Sequence, residues 1–462
     1  MKSNNKYIIF TVIILSVVFL STLGCGLIAD RNNYSDPGSS NYSFQNPQEI
    51  EYNNDGNATN PNVAMDSNGN AIASWCQEDI DGDAYFYVNR YTPANEWEGV
   101  TEISWIHPSL SLYPPYIAFD PIGNAVVVWN QNESPTGNAH DVYSVRYNYN
   151  LDDWEGLFMH DTQTNNAYPA KAEFLPDGDI FLIWTQSDDA CATSSVWSTT
   201  YSSTGQNWGP VYLNEVDNTS LYSSRSNMDI NPAGDIAVVW RQGLPDREIY
   251  GRIRDSNTTW GAPVKLSVDS NVTHWPQVAM DNNGYAIAVW IQSDSLPSDG
   301  LWSSLYHALD EEWKPPVKIS NPSAIVPSGD PPRIAMNPDG MAIVVWLEEE
   351  ATYDHVWANY YNAGWSGPVR VEQPSNYYSE TPEVAINNTG VAAVVWSKWD
   401  DTSRNIWMNW YVSSVFVGAY TIDDSGEFDA VKPKIAMDPS GFTITVWQQW
   451  DGFVNSTWAY KE

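Results

Sequence analysis

The sequence predicts an all-β protein: an eight-bladed β-propeller of four-stranded antiparallel blades, its last blade closed by an N-terminal strand. Three observations carry that prediction. First, a pattern close to P-x-V-A-M-D-x-x-G-x-A-I-V-V-W is written eight times, ending at Trp75, Trp129, Trp184, Trp240, Trp290, Trp346, Trp396 and Trp447. Successive copies lie 54, 55, 56, 50, 56, 50 and 51 residues apart, and self-similarity at such a period marks a repeat architecture. Second, the apolar run that ends each copy, such as Ala125 to Trp129, shows no polar alternation. A strand built from it needs cover on both faces. Third, the eighth copy runs one strand short, and residues 44–53 offer a spare one.

Ahead of the repeats, the chain opens MKSNNK, runs apolar from Tyr7 to Leu23, and reaches Gly24-Cys25. A charged start, an apolar stretch and a small residue before the cut describe an export signal over residues 1–24. Cys directly after Gly24 resembles the bacterial lipoprotein signal. That resemblance implies cleavage before Cys25 and lipidation of its thiol. Thr22 departs from the pattern, which prefers Leu there. An uncleaved anchor helix is the alternative, because the apolar run is marginal for a membrane span. An Asp at position 26 would resemble an inner-membrane retention signal. Gly26 stands there instead, which favours the outer membrane or cell surface. Residues 25–42, containing DRNNYSDPGSSNY, read as a polar tether, and residues 43–462 as the propeller.

One copy, PQVAMDNNGYAIAVW from Pro276 to Trp290, shows how a unit is built. Two apolar runs flank D-N-N-G, where Asp opens a type I turn and Gly accepts a left-handed backbone. Asp120-Pro121, Asn337-Pro338 and Asp438-Pro439 add a Pro at the position whose φ it presets. A third strand carries an aromatic column: Tyr87, Tyr143, Trp197, Tyr250, Trp302, Trp357, Trp407 and Trp458. A fourth follows, as in Trp260-GAPVKLS and Trp365-SGPVRVE. Radial packing of such meanders gives a propeller; a β-helix repeats over shorter periods and lacks the hairpins. Phe44 precedes Pro47 by three residues, as Trp260 precedes Pro263 and Trp365 precedes Pro368. Phe44 to Asn53 is therefore expected to pair with the third strand of the last blade near Thr457 to Tyr460. A seven-bladed ring would orphan one copy.

The formal net charge is -36. Such a surface repels nucleic acid and anionic lipid, so membrane attachment is expected through the lipid anchor only. Of three Cys (25, 76 and 191), Cys76 and Cys191 belong to non-adjacent blades and are not expected to bond. Aromatic burial, from 24 Trp and 27 Tyr, is expected to hold the fold. N-x-S/T triplets such as those at Asn218 and Asn455 read as composition.

Three constellations are candidate sites. The turn residues Asp66, Asp120, Asp281 and Asp438 alternate with Asn231, Asn337 and Asn387, and the third copy reads Leu175-Pro-Asp-Gly178. Asn and Asp both cap turns, so the structural reading is preferred. Asp79, Asp81 and Asp83 have the spacing of calcium loops, but Arg90 stands where an EF-hand places Glu. Calcium is the one cofactor considered, against a solvated turn. A second aromatic column, Trp97, Trp154, Trp208, Trp260, Trp313 and Trp365, offers either ligand-contact surfaces or interblade packing. No catalytic residue is assigned. The six His show no metal spacing and no G-x-S-x-G elbow occurs. Arg225, Arg247, Arg252 and Arg254 gather around blade four without a sialidase motif.

The D-x-x-G turn resembles the Asp-box turn of sialidase-type propellers and related bacterial lectins, in which the turn is structural. The repeat units are similar to those of secreted and lipid-anchored bacterial propeller proteins of unassigned function. The resemblance covers residues 43–462 and implies the fold, not an activity. The expected function is non-catalytic binding of an extracellular glycan or protein by a monomer. A carbohydrate-active enzyme of sialidase or lyase type and an envelope scaffold are the alternatives. A binder predicts similar sites on several blades, an enzyme one asymmetric charged cluster at a mouth of the ring, and a scaffold an exposed apolar patch.

Replacing Cys25 by Ser is expected to release the protein from the membrane fraction. A purified protein whose intact mass retains Met1 would overturn the lipid-anchor expectation.

Overall fold

The structure, a computed structural model, describes residues 46–51, 56–104, 114–132, 140–160, 167–187, 194–213, 216–217, 222–243, 247–268, 272–295, 298–423 and 428–462. The export signal, Cys25, the tether, Phe44, Asn53 and Cys191 lie outside the described residues. No described helix is long and apolar enough to cross a membrane. The described chain forms eight antiparallel sheets arranged as an eight-bladed propeller. We call the strands of each blade a to d, in chain order. In blade one they are Ala58–Met65, Ala71–Glu78, Ala84–Thr92 and Glu96–Glu102. Each a strand packs on the a strands of both neighbours, and the last returns to the first, so these strands line a closed ring.

The b strands are buried along nearly their whole length, as expected of runs apolar on both faces. Their apolar side chains divide among eight clusters, one per blade interface, of which the cluster joining blades eight and one completes the circle. Every repeat Trp is at most 2 % exposed. It stands opposite the aromatic column of strand c, as in Trp75↔Tyr87 and Trp240↔Tyr250, with rings stacked at 6.3 and 6.0 Å.

A buried indole N–H needs an acceptor. The acceptor is a Gln two residues on. Trp75 Nε1 donates to Gln77 Oε1 at 3.0 Å, and the same bond recurs at Gln131, Gln186, Gln242, Gln292 and Gln449. Glu348 replaces Gln in blade six and still accepts, at 3.0 Å. Blade seven places Lys398 there, and Trp396 Nε1 is left without an acceptor among the described residues. Lys398 instead pairs with buried Glu372, which also meets His355 at 3.2 Å. Burial alone would raise the Glu372 carboxyl; His355 and Lys398 outweigh it and hold it below its ordinary value.

The hairpin turns bear out their structural reading. Asp281 is buried, and its Oδ1 accepts N–H bonds from Asn283 at 2.8 Å and Tyr285 at 2.9 Å. Asn337 and Asn387 do the same with a neutral oxygen. The carboxylate charge is not what the turn uses.

The last blade is closed by the N-terminal segment. Gln48 and Glu49 pair with Ala459 and Trp458. Ile50 N donates to Thr457 O at 2.9 Å, and Ile50 is buried in the cluster between blades eight and one. Its carbonyl accepts Asn89 Nδ2, as the carbonyls of Ile319 and Val371 accept Asn359 and Asn409. Ile50 thus fills the d-strand position of an ordinary blade. Glu51 then accepts Thr457 N at 2.9 Å, the role Glu372 takes for Val356 N in blade six. Burial pushes the Glu51 carboxyl up to about 8, and Glu49 and Asp451 add to the rise.

Deleting residues 26–53 is expected to cost several kcal/mol, because a strand's apolar contacts with the cluster at Ile50 are lost. A melting temperature within a degree or two of the parent's would refute the closure. Glu51 yields a second expectation. Its folded pKa lies above the unfolded value, so its contribution to stability declines as pH rises from 4.5 towards 8. Glu51→Gln should remove that decline, raising the melting temperature above pH 8 relative to the parent. An unchanged pH profile would show that Glu51 stays ionised in the closed blade.

Candidate functional site at the channel mouth

The repeat places a Pro at the third or fourth residue of strand a, as in Asn60-Pro61, Trp275-Pro276, Thr381-Pro382 and Lys432-Pro433. Pro cannot donate to the ladder, so inside a paired strand it belongs at a bulge. The structure shows that bulge. Pairing with strand b slips between Thr59 and Asn62, and at the matching place in blades three, four, five, seven and eight. In five of these six blades the residue at the slip takes a left-handed backbone though it is not glycine: Asn60, Arg225, Trp275, Thr381 and Lys432, with φ between 50° and 57°. Bulges re-aim side chains. Left-handed non-glycine residues each cost roughly 1–3 kcal/mol and gather at functional sites.

Because a strands line the axis, these residues ring one end of the channel, the end that also carries the b–c hairpins. They reach round it from blade to blade. Lys432 Nζ donates to Asn60 Oδ1 at 2.9 Å, and the Arg225 guanidinium lies 3.3 Å from the Trp275 ring centroid. Trp275 Nε1 donates to Ser328 O at 2.7 Å. Just inside the mouth a polar layer satisfies itself. Asn227 donates to Gln277 at 3.1 Å, and Arg333 to Glu383 at 2.8 Å, with Lys434 on the same carboxylate. Burial alone would raise Glu383; the two cations lower it. Burial raises Glu173 and Asp229, which share Lys171.

The mouth is polarised. Arg241, on strand b of blade four, is 7 % exposed; its Nε donates to Ser224 Oγ at 3.1 Å. Burial, and then the neighbouring guanidiniums of Arg225 and Arg247, push it down to about 10. His274, beginning blade five, is held below its ordinary value by burial and then by Arg241 and Arg225. Further round the ring, blades six and seven are acidic. Asp354 is raised by burial and by Glu349, Asp330 and Glu380, with His355 acting against the rise, and Arg404 pairs with Glu380 at 3.4 Å.

The residues singled out from sequence are placed as follows. Arg225 and Arg247 reach the mouth. Arg252 and Arg254 turn outward over Trp260 and Phe181, at 5.1 and 5.5 Å. The column Trp97, Trp154, Trp208, Trp260, Trp313 and Trp365 is half-buried, each packed against an interface cluster. Trp97 and Trp365, for example, meet Tyr91 and Tyr361 edge-on at 5.5 and 5.3 Å. Asp79 caps its own hairpin, accepting Asp81 N and Asp83 N at 2.9 Å. No group of three or more metal-ligating His, Cys, Asp or Glu occurs among the described residues. Arg241 was not singled out. Its signal is a lone cation directly after the repeat Trp, where the other copies carry Cys76, Asn130, Thr185, Ile291, Leu347, Ser397 and Gln448.

No family model and no curated protein matches the chain. Solved structures do. The chain is similar to the BP39L lectin from Burkholderia pseudomallei, with 13% identity, a TM-score of 0.52, and coverage of 82% of this chain and 99% of the lectin. It is also similar to an ulvan lyase of a new polysaccharide lyase family, with 10% identity, a TM-score of 0.50, and coverage of 89% and 95%. An intramolecular trans-sialidase from Ruminococcus gnavus matches with 11% identity and a TM-score of 0.37 over 91% of this chain and 97% of its own. At these identities the likeness is one of fold.

Proposed function

We propose that this is an exported, lipid-anchored protein that binds an extracellular glycan at the bulge-lined mouth of the channel, without turnover. One observation carries the reading. At the bulge of blades one, four, five, seven and eight the backbone is the same, yet the side chain changes each time: Asn60, Arg225, Trp275, Thr381 and Lys432. Positions that serve the fold, such as the repeat Trp, do not vary in this way. A strained backbone held constant under a varied set of polar and aromatic side chains is what a composite binding surface needs. The glycan class is supported by the lectin and the lyase that share the fold. The half-buried Trp column supplies edges at the rim and is proposed as a secondary contact.

A second reading, a carbohydrate-active enzyme, is favoured by the asymmetry of the mouth. Charge is concentrated between blades four and five, and His274 there has its pKa lowered, a state suited to a general base.

A glycan array should give binding that Trp275→Ala removes and that Trp365→Ala alone leaves nearly intact, with melting curves showing both variants folded. A blank array would refute the glycan reading. Cleavage of a polysaccharide that His274→Asn abolishes would replace it with the enzyme.

A further inference from the structure

A buried guanidinium is stable when carboxylates or carbonyls surround it; left uncompensated, it costs several kcal/mol. Two of the described arginines with unsatisfied N–H atoms follow the rule. Arg370 and Arg404 leave some N–H atoms without acceptors, but Arg370 pairs with Glu350 at 2.8 Å and Arg404 with Asp429 at 3.3 Å. Arg241 does not. It is the more deeply buried, its Nη1 has no acceptor among the described residues, and the groups acting on it are two further guanidiniums, opposed only by the Tyr222 phenol. Ser224 takes only its Nε. The cluster is held together by the fold. Arg225 is fixed by the bulge and by Trp275, and the Arg247 carbonyl accepts the hydroxyl of Thr273 at the start of blade five.

We infer that the gap between blades four and five at the channel mouth is an oxyanion site, built by Arg241 with Arg225 and Arg247, that takes a carboxylate or sulfate group. Planar guanidinium forks match both anions in a bidentate way. The chain's overall charge of -36 makes the concentration of cations here a local property, not a general one. His274 lines the same gap and is disfavoured from adding a further positive charge. The acidic residues Asp330, Glu349, Asp354 and Glu380 lie further round the same mouth, in blades six and seven. They repel a polyanion from that side and steer the acid group to the arginines. That a sugar carries the oxyanion rests on the glycan-binding reading above.

The test is calorimetric titration of the folded protein with four probes: an oligogalacturonate, a sulfated galactan oligosaccharide, a neutral oligosaccharide of equal length, and sodium sulfate. The acidic sugars should bind at least about tenfold more tightly than the neutral one, and Arg241→Gln should remove that preference, as expected for charge-assisted hydrogen bonds. Arg247→Gln, at a less buried position, should weaken it in part. Without ligand, Arg241→Gln should melt no lower than the parent, because an uncompensated buried cation has been removed. Equal binding of neutral and acidic sugars by parent and variant would overturn the oxyanion site and leave the glycan reading intact. Sulfate binding lost in Arg241→Gln, with no sugar bound, would uphold the site and remove the glycan reading. A variant that melts well below the parent would show Arg241 to be a structural residue and overturn the site.

Discussion

The structure depends on one constraint: the second strand of every repeat is apolar on both faces. A blade therefore cannot stand alone, because either open face would expose Val, Ile and Trp side chains to water. Each blade covers its neighbours, and the only arrangement without a bare face is a closed ring. The eight apolar clusters are the physical content of that closure, and the cluster between blades eight and one holds residues from both ends of the propeller. The repeat Trp is the largest part of each cluster and imposes a condition of its own. Its indole N–H is buried beyond the reach of water, and the Gln two residues later answers it. Blade seven shows the cost of departing from this arrangement. Lys398 gains an ion pair with Glu372, which also meets His355, and leaves the Trp396 indole N–H without an acceptor among the described residues.

The same constraint produces the mouth. First strands crowded round an axis have to be bent and separated at one end, and a bulge with Pro in its second position does this repeatedly. The bend puts a left-handed residue at five of the six bulges. Below it, Asn, Gln, Lys, Arg and Glu side chains satisfy one another and close the polar layer. The fold thus builds a rigid, self-sufficient platform. Its uppermost residues are free to differ, and the buried guanidinium of Arg241 is where the platform departs furthest from self-sufficiency.

Much of this was legible in the chain. Period, hairpin chemistry and two-sided apolar runs fixed blade number and strand order, because each depends on short-range rules. The spacing of Phe44 and Pro47 matched that of Trp260 and Pro263 closely enough to place Ile50 in its strand position. Alternation of Asp with Asn at the turns foretold that their oxygen, not their charge, was in use. The Pro of the repeat was a bulge signal present ten residues before the apolar second strand of blades one, five, seven and eight, and only pairing across strands displayed what it does.

The sequence by itself determined a ring of eight interlocking meanders, since local periodicity dictates which faces are apolar and apolar faces dictate neighbours. Only the tertiary structure decided which charged side chains meet. Arg225, Arg241 and Arg247 come from a first strand, a second strand and a hairpin, and His274 from the next blade. Their approach is set by the bulge and the angle between blades. The tertiary structure likewise sent Arg252 and Arg254 to aromatic rings and buried Arg241 with no acceptor on its Nη1 among the described residues. Electrostatic neighbours at the mouth are long-range in sequence, and the pattern of a repeat carries no information about distances across the axis it encloses.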